Sequence, residues 1–280
     1  MVFNFLRGGG VLLRDRPIGI FDSGMGGLTV VKEVFKLLPQ EDITYFADTA
    51  HLPYGERELS EVKGFALNIM QYLIKEKVKL IIMGCNVSSA IAIGEARKRF
   101  EVPVIGLIEA GVEEALAKTK GNRLGLIATS GTIKSKAYQK KIKEANPEAK
   151  VFVRACPLFV PLIEEGKVNT KETIDAAKKY LKPLITADID TLILGCTHYP
   201  FLERIIQSIL GKKVKIVDPA RGTVIKAKKI MMSKQLLKTT GSAPRYRFIV
   251  SGESKKFKRL GSKFLGRPLR RVEQVRLIKR

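Results

Sequence analysis

Short apolar runs alternate with longer amphipathic stretches along most of this chain. Eight runs rich in apolar and β-branched residues predict strands, at residues 18–21, 43–47, 80–83, 104–107, 124–128, 150–154, 191–194 and 215–217. The stretches between them predict helices, at residues 28–38, 58–77, 90–100, 113–119, 134–145, 171–187 and 202–210. This alternation predicts an α/β protein with parallel sheets and helices on both faces.

The pattern changes after residue 217. A longer helical stretch over 223–238, a strand over 246–250 and a final helix follow. We expect this tail to pack on the first half of the chain. The predicted organisation is two similar parallel-sheet α/β domains related by internal duplication, the first formed by 1–103 plus 218–280 and the second by 104–217.

Polar residues end the strand-like runs in matching places in the two halves. The pairs, in chain order, are Ser23 and Ser130, Cys85 and Cys196, and Glu109 and Asp218. Each second member follows the first by roughly 110 residues, a spacing that indicates an internal repeat. Buried parallel strands all resemble one another, which accounts for the apolar runs but not for the ordered match of their polar ends.

Cys85 and Cys196 carry the chemistry that this repeat suggests. Each follows a glycine at a strand end, in LIIMGCNVSSA and LILGCTHYP, and each precedes a predicted helix. The helix dipole is expected to lower the pKa of both thiols toward neutrality. Two thiols facing one carbon from opposite sides suit the removal of a proton on one face and its return on the other. Either cysteine alone is compatible with a buried structural role, to which we assign Cys156.

Other polar residues near strand ends have open alternatives. His198 can orient the thiol of Cys196 or exchange protons with it. The segment DSGMGG, with Asp22 and Ser23, suits close approach of a ligand to the backbone or a tight capped turn. A dinucleotide site would need a third glycine where Thr29 stands, although Asp48 resembles a ribose-binding acid. LPYG, at 52–55, predicts a turn whose amides can bind a ligand.

Length and composition limit the classes of protein. The 280 residues are 45% hydrophobic, but no run approaches the roughly 18 apolar residues of a membrane helix. The start, MVFNFLRGGGVLLRDR, is too interrupted for a secretory signal and is interpreted as a flexible extension or a start site placed too far upstream. Three cysteines without a CxxC pair, and two histidines, argue for a reducing cytosol and against a disulfide framework or a zinc site.

The formal net charge is +24, from 51 Lys plus Arg and 27 Asp plus Glu. This charge favours anionic substrates and permits nonspecific attraction to nucleic acid. The basic residues are dispersed along helices and denser after Arg221, with no aromatic-interleaved basic motif. We interpret them as a solvated basic surface and keep nucleic acid as a second candidate partner.

Seven segments in order together resemble the glutamate racemases of the cofactor-independent aspartate/glutamate racemase superfamily. They run from about Pro17 to Pro219 and read IGIFDSGMGGLTV, YFADTAHLPYGER, GCNVSSA, PVIGLIEAG, ATSGTIKSKAY, CPLFVPLIEEG and LILGCTHYPFL. The resemblance implies an active site in the cleft between two α/β domains. It implies interconversion of L-glutamate and D-glutamate without cofactor or metal, for peptidoglycan synthesis in the cytoplasm, by a homo-oligomer, specifically a dimer.

The resemblance also implies roles for individual residues. Cys85 would deprotonate D-glutamate and Cys196 would deprotonate L-glutamate, assisted by Asp22 and His198. Glu164 is a further catalytic candidate, although Glu165 fits the same place. The implied substrate-binding positions are Asp22, Ser23, Pro53, Tyr54, Gly55, Asn86, Val87, Thr132, Thr197 and His198.

One residue departs from the family pattern, and three rival functions stay open. Val87 stands where the family has threonine after CN, which removes a hydroxyl donor to the substrate. The nearest rival is an aspartate racemase with a pocket of different length. The others are a binding protein, either a catalytically idle homologue or a nucleic-acid binder, and a dinucleotide-dependent enzyme.

Overall fold

The computed structural model describes residues 12–277, which form two parallel sheets. The strands are β1 (Ile18–Asp22), β2 (Ile43–Ala47), β3 (Leu80–Met83), β4 (Val104–Gly106), β5 (Arg123–Ala128), β6 (Lys150–Ala155), β7 (Thr191–Gly195), β8 (Lys215–Val217), β9 (Tyr246–Val250) and β10 (Val272–Gln274). One sheet has the order β10-β9-β2-β1-β3-β4 and the other β6-β5-β7-β8. The predicted α/β class with parallel sheets is confirmed.

The two sheets repeat one strand order. Strands β2-β1-β3-β4 of the larger sheet correspond to β6-β5-β7-β8 of the smaller one. Each pair of polar residues identified in the sequence follows corresponding strands: the serines follow β1 and β5, the cysteines follow β3 and β7, and the acidic residues follow β4 and β8. The carboxyl ends of parallel strands lie at one edge of their sheet, so each half presents its polar residues together.

Eleven α-helices connect or cover these strands within the described residues. They are α1 (Leu28–Leu37), α2 (Leu59–Lys75), α3 (Asn86–Arg99), α4 (Leu107–Lys118), α5 (Ser130–Ser135), α6 (Ala137–Ala145), α7 (Phe159–Glu164), α8 (Lys171–Thr186), α9 (Glu203–Leu210), α10 (Pro219–Ser233) and α11 (Ser254–Leu265). Short 3₁₀ turns lie at Leu13–Asp15, Tyr54–Glu56 and Tyr199–Leu202.

Four predicted helices have different bounds in the structure. The helix predicted at 223–238 is α10, which begins at Pro219 and ends at Ser233. The helix predicted at 90–100 begins at Asn86, directly after Cys85, and the one predicted at 113–119 begins at Leu107. The helix predicted at 134–145 is two helices, because Lys136 adopts a left-handed conformation, with φ of 55°, between them. Helix α7 and strand β10 were not predicted.

The C-terminal residues return to the larger sheet. Strand β9 pairs with β2, and β10 pairs with β9, so the tail extends this sheet beyond β2. Strand β4, assigned above to the second domain, pairs with β3 in the larger sheet. The division into domains 1–103 plus 218–280 and 104–217 stays a prediction.

Residues 1–11 and 278–280 lie outside the described part of the chain. The proposed N-terminal extension lies mostly outside the described residues, apart from the turn at Leu13–Asp15. Within residues 12–277, no helix is long and apolar enough to cross a membrane.

Candidate active site

One cavity lies where the carboxyl ends of strands from both sheets meet. The predicted site residues that line it are Ser23, Pro53, Tyr54, Gly55, Cys85, Asn86, Val87, Thr132, Cys196, Thr197 and His198. Six lining residues were not predicted: Glu56, Thr129, Pro157, Val160, Pro161 and Gly195. Most of the six lie inside or beside the motifs PYG, ATSGT and CPLFVPL. Their closeness to these motifs is the signal in the sequence by which they could have been predicted.

Cys85 lies after β3, at the N-terminal cap of α3, and is buried. Burial raises the pKa of its thiol to about 12, and the negative charge of Asp22 acts in the same direction. The expectation that the helix dipole brings this pKa toward neutrality is therefore wrong for Cys85. The dipole acts on a group removed from water, and the loss of hydration outweighs it.

Cys196 lies after β7 and begins a chain of polar contacts. Its Sγ is 3.8 Å from Nδ1 of His198, and Nε2 of the same ring is 2.8 Å from Oε1 of Glu164. Burial would lower the pKa of His198, but the contacts with Cys196 and Glu164 outweigh it and raise that pKa well above its ordinary value. The ring is thus held in its protonated form between two groups that carry negative charge when ionised.

Glu164, rather than Glu165, reaches the site. Its Oε1 also accepts a hydrogen bond of 3.1 Å from the backbone amide of Met25, which fixes the carboxylate against the first half of the chain. The exposed Glu165 pairs instead with Lys167. Of these two neighbouring glutamates, between which the sequence left the choice open, Glu164 is the one that contacts His198. The catalytic role of Glu164 stays a prediction.

Asp22, which the sequence predicted to bind substrate, is buried and does not line the cavity. Its carboxylate accepts hydrogen bonds from the amide of Gly24 at 2.7 Å and from the hydroxyl of Thr197 at 2.8 Å. Burial raises the pKa of Asp22, against the opposing charge of His198. The second contact joins the ends of β1 and β7, so Asp22 links the two halves of the chain.

A side chain at position 26 would disrupt this junction. A Cβ atom placed on Gly26 would lie 2.5 Å from both His198 Nδ1 and Thr197 Oγ1. The glycine therefore allows the backbone after β1 to approach the His198 ring closely, which is the physical reason for a glycine in this part of DSGMGG.

Three other predicted residues are held by polar contacts. Asn86 Oδ1 accepts a hydrogen bond from the hydroxyl of Tyr138 at 2.7 Å, and Tyr54 donates its hydroxyl to the buried carboxylate of Asp48. Thr132 lies 3.2 Å from Thr129, hydroxyl to hydroxyl. Val87 is buried and presents an apolar side chain to the cavity.

The remaining sequence candidates lie elsewhere. Cys156 is buried outside the cavity. His51 contacts Asp48 at 2.9 Å and stacks on the ring of Phe65. Asp48 also accepts from Ser251 at 2.6 Å, so its oxygens are occupied by protein groups instead of facing a ribose. Among the residues that the structure describes, no group of three or more metal-ligating side chains occurs.

Comparison with known proteins gives consistent matches over most of the chain. Residues 19–227 match the family described as Asp/Glu/Hydantoin racemase. The glutamate racemase of Geobacter metallireducens is 45% identical over 262 residues, which are 94% of this chain and 97% of that protein.

Solved structures agree with this assignment. A glutamate racemase isoform from Bacillus anthracis has a TM-score of 0.90 at 36% identity, covering 94% of this chain and 98% of that one. The glutamate racemase of Francisella tularensis, solved in complex with D-glutamate, has a TM-score of 0.88 at 41% identity, with the same coverage.

Proposed function

The chain belongs to the Asp/Glu/Hydantoin racemase family, and from that premise we propose that it interconverts L-glutamate and D-glutamate by proton transfer at the α-carbon between two thiols, without a cofactor. One observation carries the proposal: Cys85 and Cys196 follow corresponding strands, β3 and β7, and line a single cavity. A substrate held between them has one thiol available to each face.

The two thiols have different surroundings. Burial raises the pKa of Cys85 to about 12, so Cys85 is a thiol at neutral pH. The Sγ of Cys196 lies 3.8 Å from Nδ1 of His198, and Nε2 of that ring lies 2.8 Å from Glu164. The imidazole is thus placed to exchange a proton with Cys196. We assign Cys85 as the proton donor and Cys196 as the base when L-glutamate reacts.

L-glutamate, by the family resemblance, presents its α-proton to Cys196. The thiolate takes this proton and forms an S–H bond, and the electron pair of the broken C–H bond stays on the substrate. The opposite face then takes the proton of Cys85, and the S–H electron pair remains on that sulfur. The product is D-glutamate, with the thiolate now at Cys85. D-glutamate reacts through the same steps in reverse, and proton exchange with water restores the resting state.

The carbanion formed in this step needs stabilisation from the site itself. An α-proton next to an ionised carboxylate is weakly acidic, so the site must combine exclusion of water with fixed donors to the substrate. The amide nitrogen of Asn86 is buried without a hydrogen-bond partner among residues 12–277, and it remains free for a substrate carboxylate. The hydroxyl of Thr132 also lines the cavity.

Val87 affects which dicarboxylate fits. Its apolar side chain replaces a hydroxyl donor, so a substrate oxygen near it depends on the backbone amide and on neighbouring groups. Aspartate is shorter than glutamate by one methylene and would place its second carboxylate differently. We assign glutamate as the substrate, in agreement with the relatives named above.

The test is α-proton exchange of L-glutamate and D-glutamate in D₂O, followed by NMR and optical rotation without added cofactor. The wild type is expected to exchange and racemise both enantiomers. Cys85→Ser and Cys196→Ser should each lose racemisation by about a hundredfold or more, because each removes one of the two proton-transfer groups. Each variant should still exchange the α-proton of one enantiomer with D₂O without inverting it. This enantiomer is L-glutamate for Cys85→Ser, which retains Cys196, and D-glutamate for Cys196→Ser, which retains Cys85.

The third cysteine supplies a matched control. Cys156→Ser changes a buried thiol outside the cavity and should keep the wild-type rate. Exchange of aspartate but not glutamate by the wild type would keep the two-thiol mechanism and change the substrate. The absence of exchange with either amino acid would contradict the proposed function.

The biological setting proposed here follows from the family. D-glutamate made by this reaction supplies peptidoglycan synthesis. The three free cysteines suit the cytoplasm, where thiols stay reduced. We propose a homodimer as the assembly, which light scattering of the purified chain would test.

A further inference from the structure

Asn86 lines the cavity, and only the oxygen of its side-chain amide has a hydrogen-bond partner among the described residues. Oδ1 accepts a hydrogen bond of 2.7 Å from the hydroxyl of Tyr138. Nδ2 is buried and has no partner within residues 12–277. Since Asn86 is only 3% exposed, its two N–H groups are available to a ligand in the cavity and hardly at all to bulk water.

Tyr138 itself does not line the cavity. Its side chain is fully buried in a hydrophobic cluster that includes Ile108, Leu126 and Ile142. The left-handed residue between α5 and α6 turns the chain so that Tyr138, the second residue of α6, enters this cluster. Only the hydroxyl oxygen reaches toward the site, through Asn86.

The hydroxyl of Tyr138 donates to Asn86 Oδ1. Burial raises its pKa far above the ordinary value, with the charges of Asp218 and Cys196 acting in the same direction, so the group keeps its proton. A phenol can donate or accept, but within this apolar cluster its O–H has Asn86 Oδ1 as acceptor. If the Asn86 amide were rotated, the buried O–H would face N–H groups and lose that acceptor, so the observed orientation is favoured.

We propose that Tyr138 is a positioning residue that fixes the orientation of the Asn86 amide, so that its N–H groups face a carboxylate of the substrate. This inference rests on the proposed function, because it assigns Asn86 a role in binding glutamate. The hydrogen bond also joins the two halves of the molecule, since α3 follows a strand of the larger sheet and α6 follows a strand of the smaller one.

A double-mutant cycle tests whether Tyr138 acts through Asn86. Tyr138→Phe removes one buried oxygen and keeps the ring, and it is expected to raise KM for both enantiomers roughly three- to tenfold, with kcat within about twofold of the wild type. In an Asn86→Ala background the same change should alter KM by less than about twofold, because the amide that it orients is already absent.

The change in KM at constant kcat separates this role from a purely structural one, and thermal unfolding checks that the hydrogen bond is present in the folded protein. Asn86→Ala leaves the hydroxyl of Tyr138 buried without a partner, so the double variant should unfold at a higher temperature than Asn86→Ala alone. Tyr72→Phe, which removes a hydroxyl from a half-buried tyrosine on α2, is the control and should leave KM unchanged.

Two kinetic results would overturn the inference alone: an unchanged KM in Tyr138→Phe, or the same increase in KM in both backgrounds. A wild-type chain that turns over no glutamate would overturn the proposed function first, and this inference with it. The two failures are therefore distinguishable.

Discussion

At the scale of single residues, Glu164 connects both halves of the chain to Cys196. This carboxylate accepts a hydrogen bond from the amide of Met25 and contacts His198, whose ring lies 3.8 Å from the thiol of Cys196. A neutral group of the same shape would keep the packing and remove the charge that compensates the imidazolium. The consequence for the rate can be measured.

Glu164→Gln is expected to lower kcat/KM at neutral pH by about tenfold or more. Without the carboxylate, one of the two contacts that raise the pKa of His198 is lost, so that pKa falls and the ring loses its proton at a lower pH. The pH dependence of kcat/KM that reports His198 should therefore lie at lower pH in the variant than in the wild type. A pH profile of kcat/KM measures this.

Glu165→Gln is the matched control for that experiment. It changes the adjacent residue by the same atoms, but its carboxylate is exposed and pairs with Lys167. Its pH profile should follow that of the wild type. Equal losses in the two variants would contradict the assignment of Glu164 to the site.

Residue chemistry is where prediction from the sequence was least complete. The sequence placed both cysteines at strand ends but gave no measure of burial, and burial is what raises the pKa of Cys85 to about 12. It also could not separate Glu164 from Glu165, because side-chain direction depends on how α7 packs. Tyr138 appeared in a family motif without a role, since its contact with Asn86 joins residues far apart in the chain.

At the scale of secondary-structure elements, α10 begins at a buried acidic cap, Asp218. Asp218 caps this helix by accepting from the amide of Ala220 at 3.0 Å, yet burial raises its pKa to about 6 despite this bond. The folded state therefore holds a proton on Asp218 at pH values where the unfolded chain, with an ordinary pKa of 3.8, has released it. The contribution of Asp218 to the free energy of unfolding is fully present below pH 3.8 and is lost as the pH rises through 6.

Asp218→Asn should stabilise the protein at pH 7 by roughly 1–3 kcal/mol, because asparagine caps a helix about as well and needs no ionisation. The gain should disappear below about pH 4, where aspartate is protonated in both states. Denaturant unfolding at several pH values measures it. A loss of stability at pH 7 would contradict the burial argument.

Asp190→Asn provides a comparison of opposite sign. Burial opposes ionisation of Asp190, but hydrogen bonds from Thr119 and from the amide of Gly121 outweigh it and lower its pKa. Replacing this ionised acceptor should destabilise the protein at neutral pH, with the difference from the wild type decreasing as the pH falls.

Elements were predicted well where the sequence pattern is local. Buried parallel strands give apolar, β-branched runs, and the predicted strands begin and end within about two residues of the observed ones. Helix α7 was missed because it is six residues long, contains Pro161 and is buried on most sides, so it lacks an amphipathic repeat. Strand β10 has three residues at a sheet edge, and its pairing with β9 has no signal in its own composition.

At the scale of the whole molecule, the net charge of +24 surrounds a site that binds an anion. A positive potential attracts a negatively charged amino acid before any contact is made, and salt screens that attraction. This charge was evident from the sequence, but its relation to the site depends on which surfaces lie near the cavity.

We expect kcat/KM for L-glutamate to fall by about twofold or more between ~20 mM and ~500 mM NaCl, while kcat stays nearly constant. Steering affects the encounter, whereas the proton transfers occur in a buried cavity that salt screens little. Steady-state kinetics over a salt series measures both constants. A kcat/KM independent of salt would contradict a role of the basic surface in attracting the substrate. Salt-sensitive retention of the protein on DNA would then favour nucleic acid as the partner of that surface.

The unequal surroundings of Cys85 and Cys196 have a thermodynamic limit. L-glutamate and D-glutamate have the same free energy in water, so the equilibrium constant between them is unity. The Haldane relation then requires kcat/KM to be equal in the two directions, however differently the two thiols are held. The difference between the two thiols can therefore appear only as proportional differences in kcat and KM, so that the enantiomer turned over faster also has the higher KM.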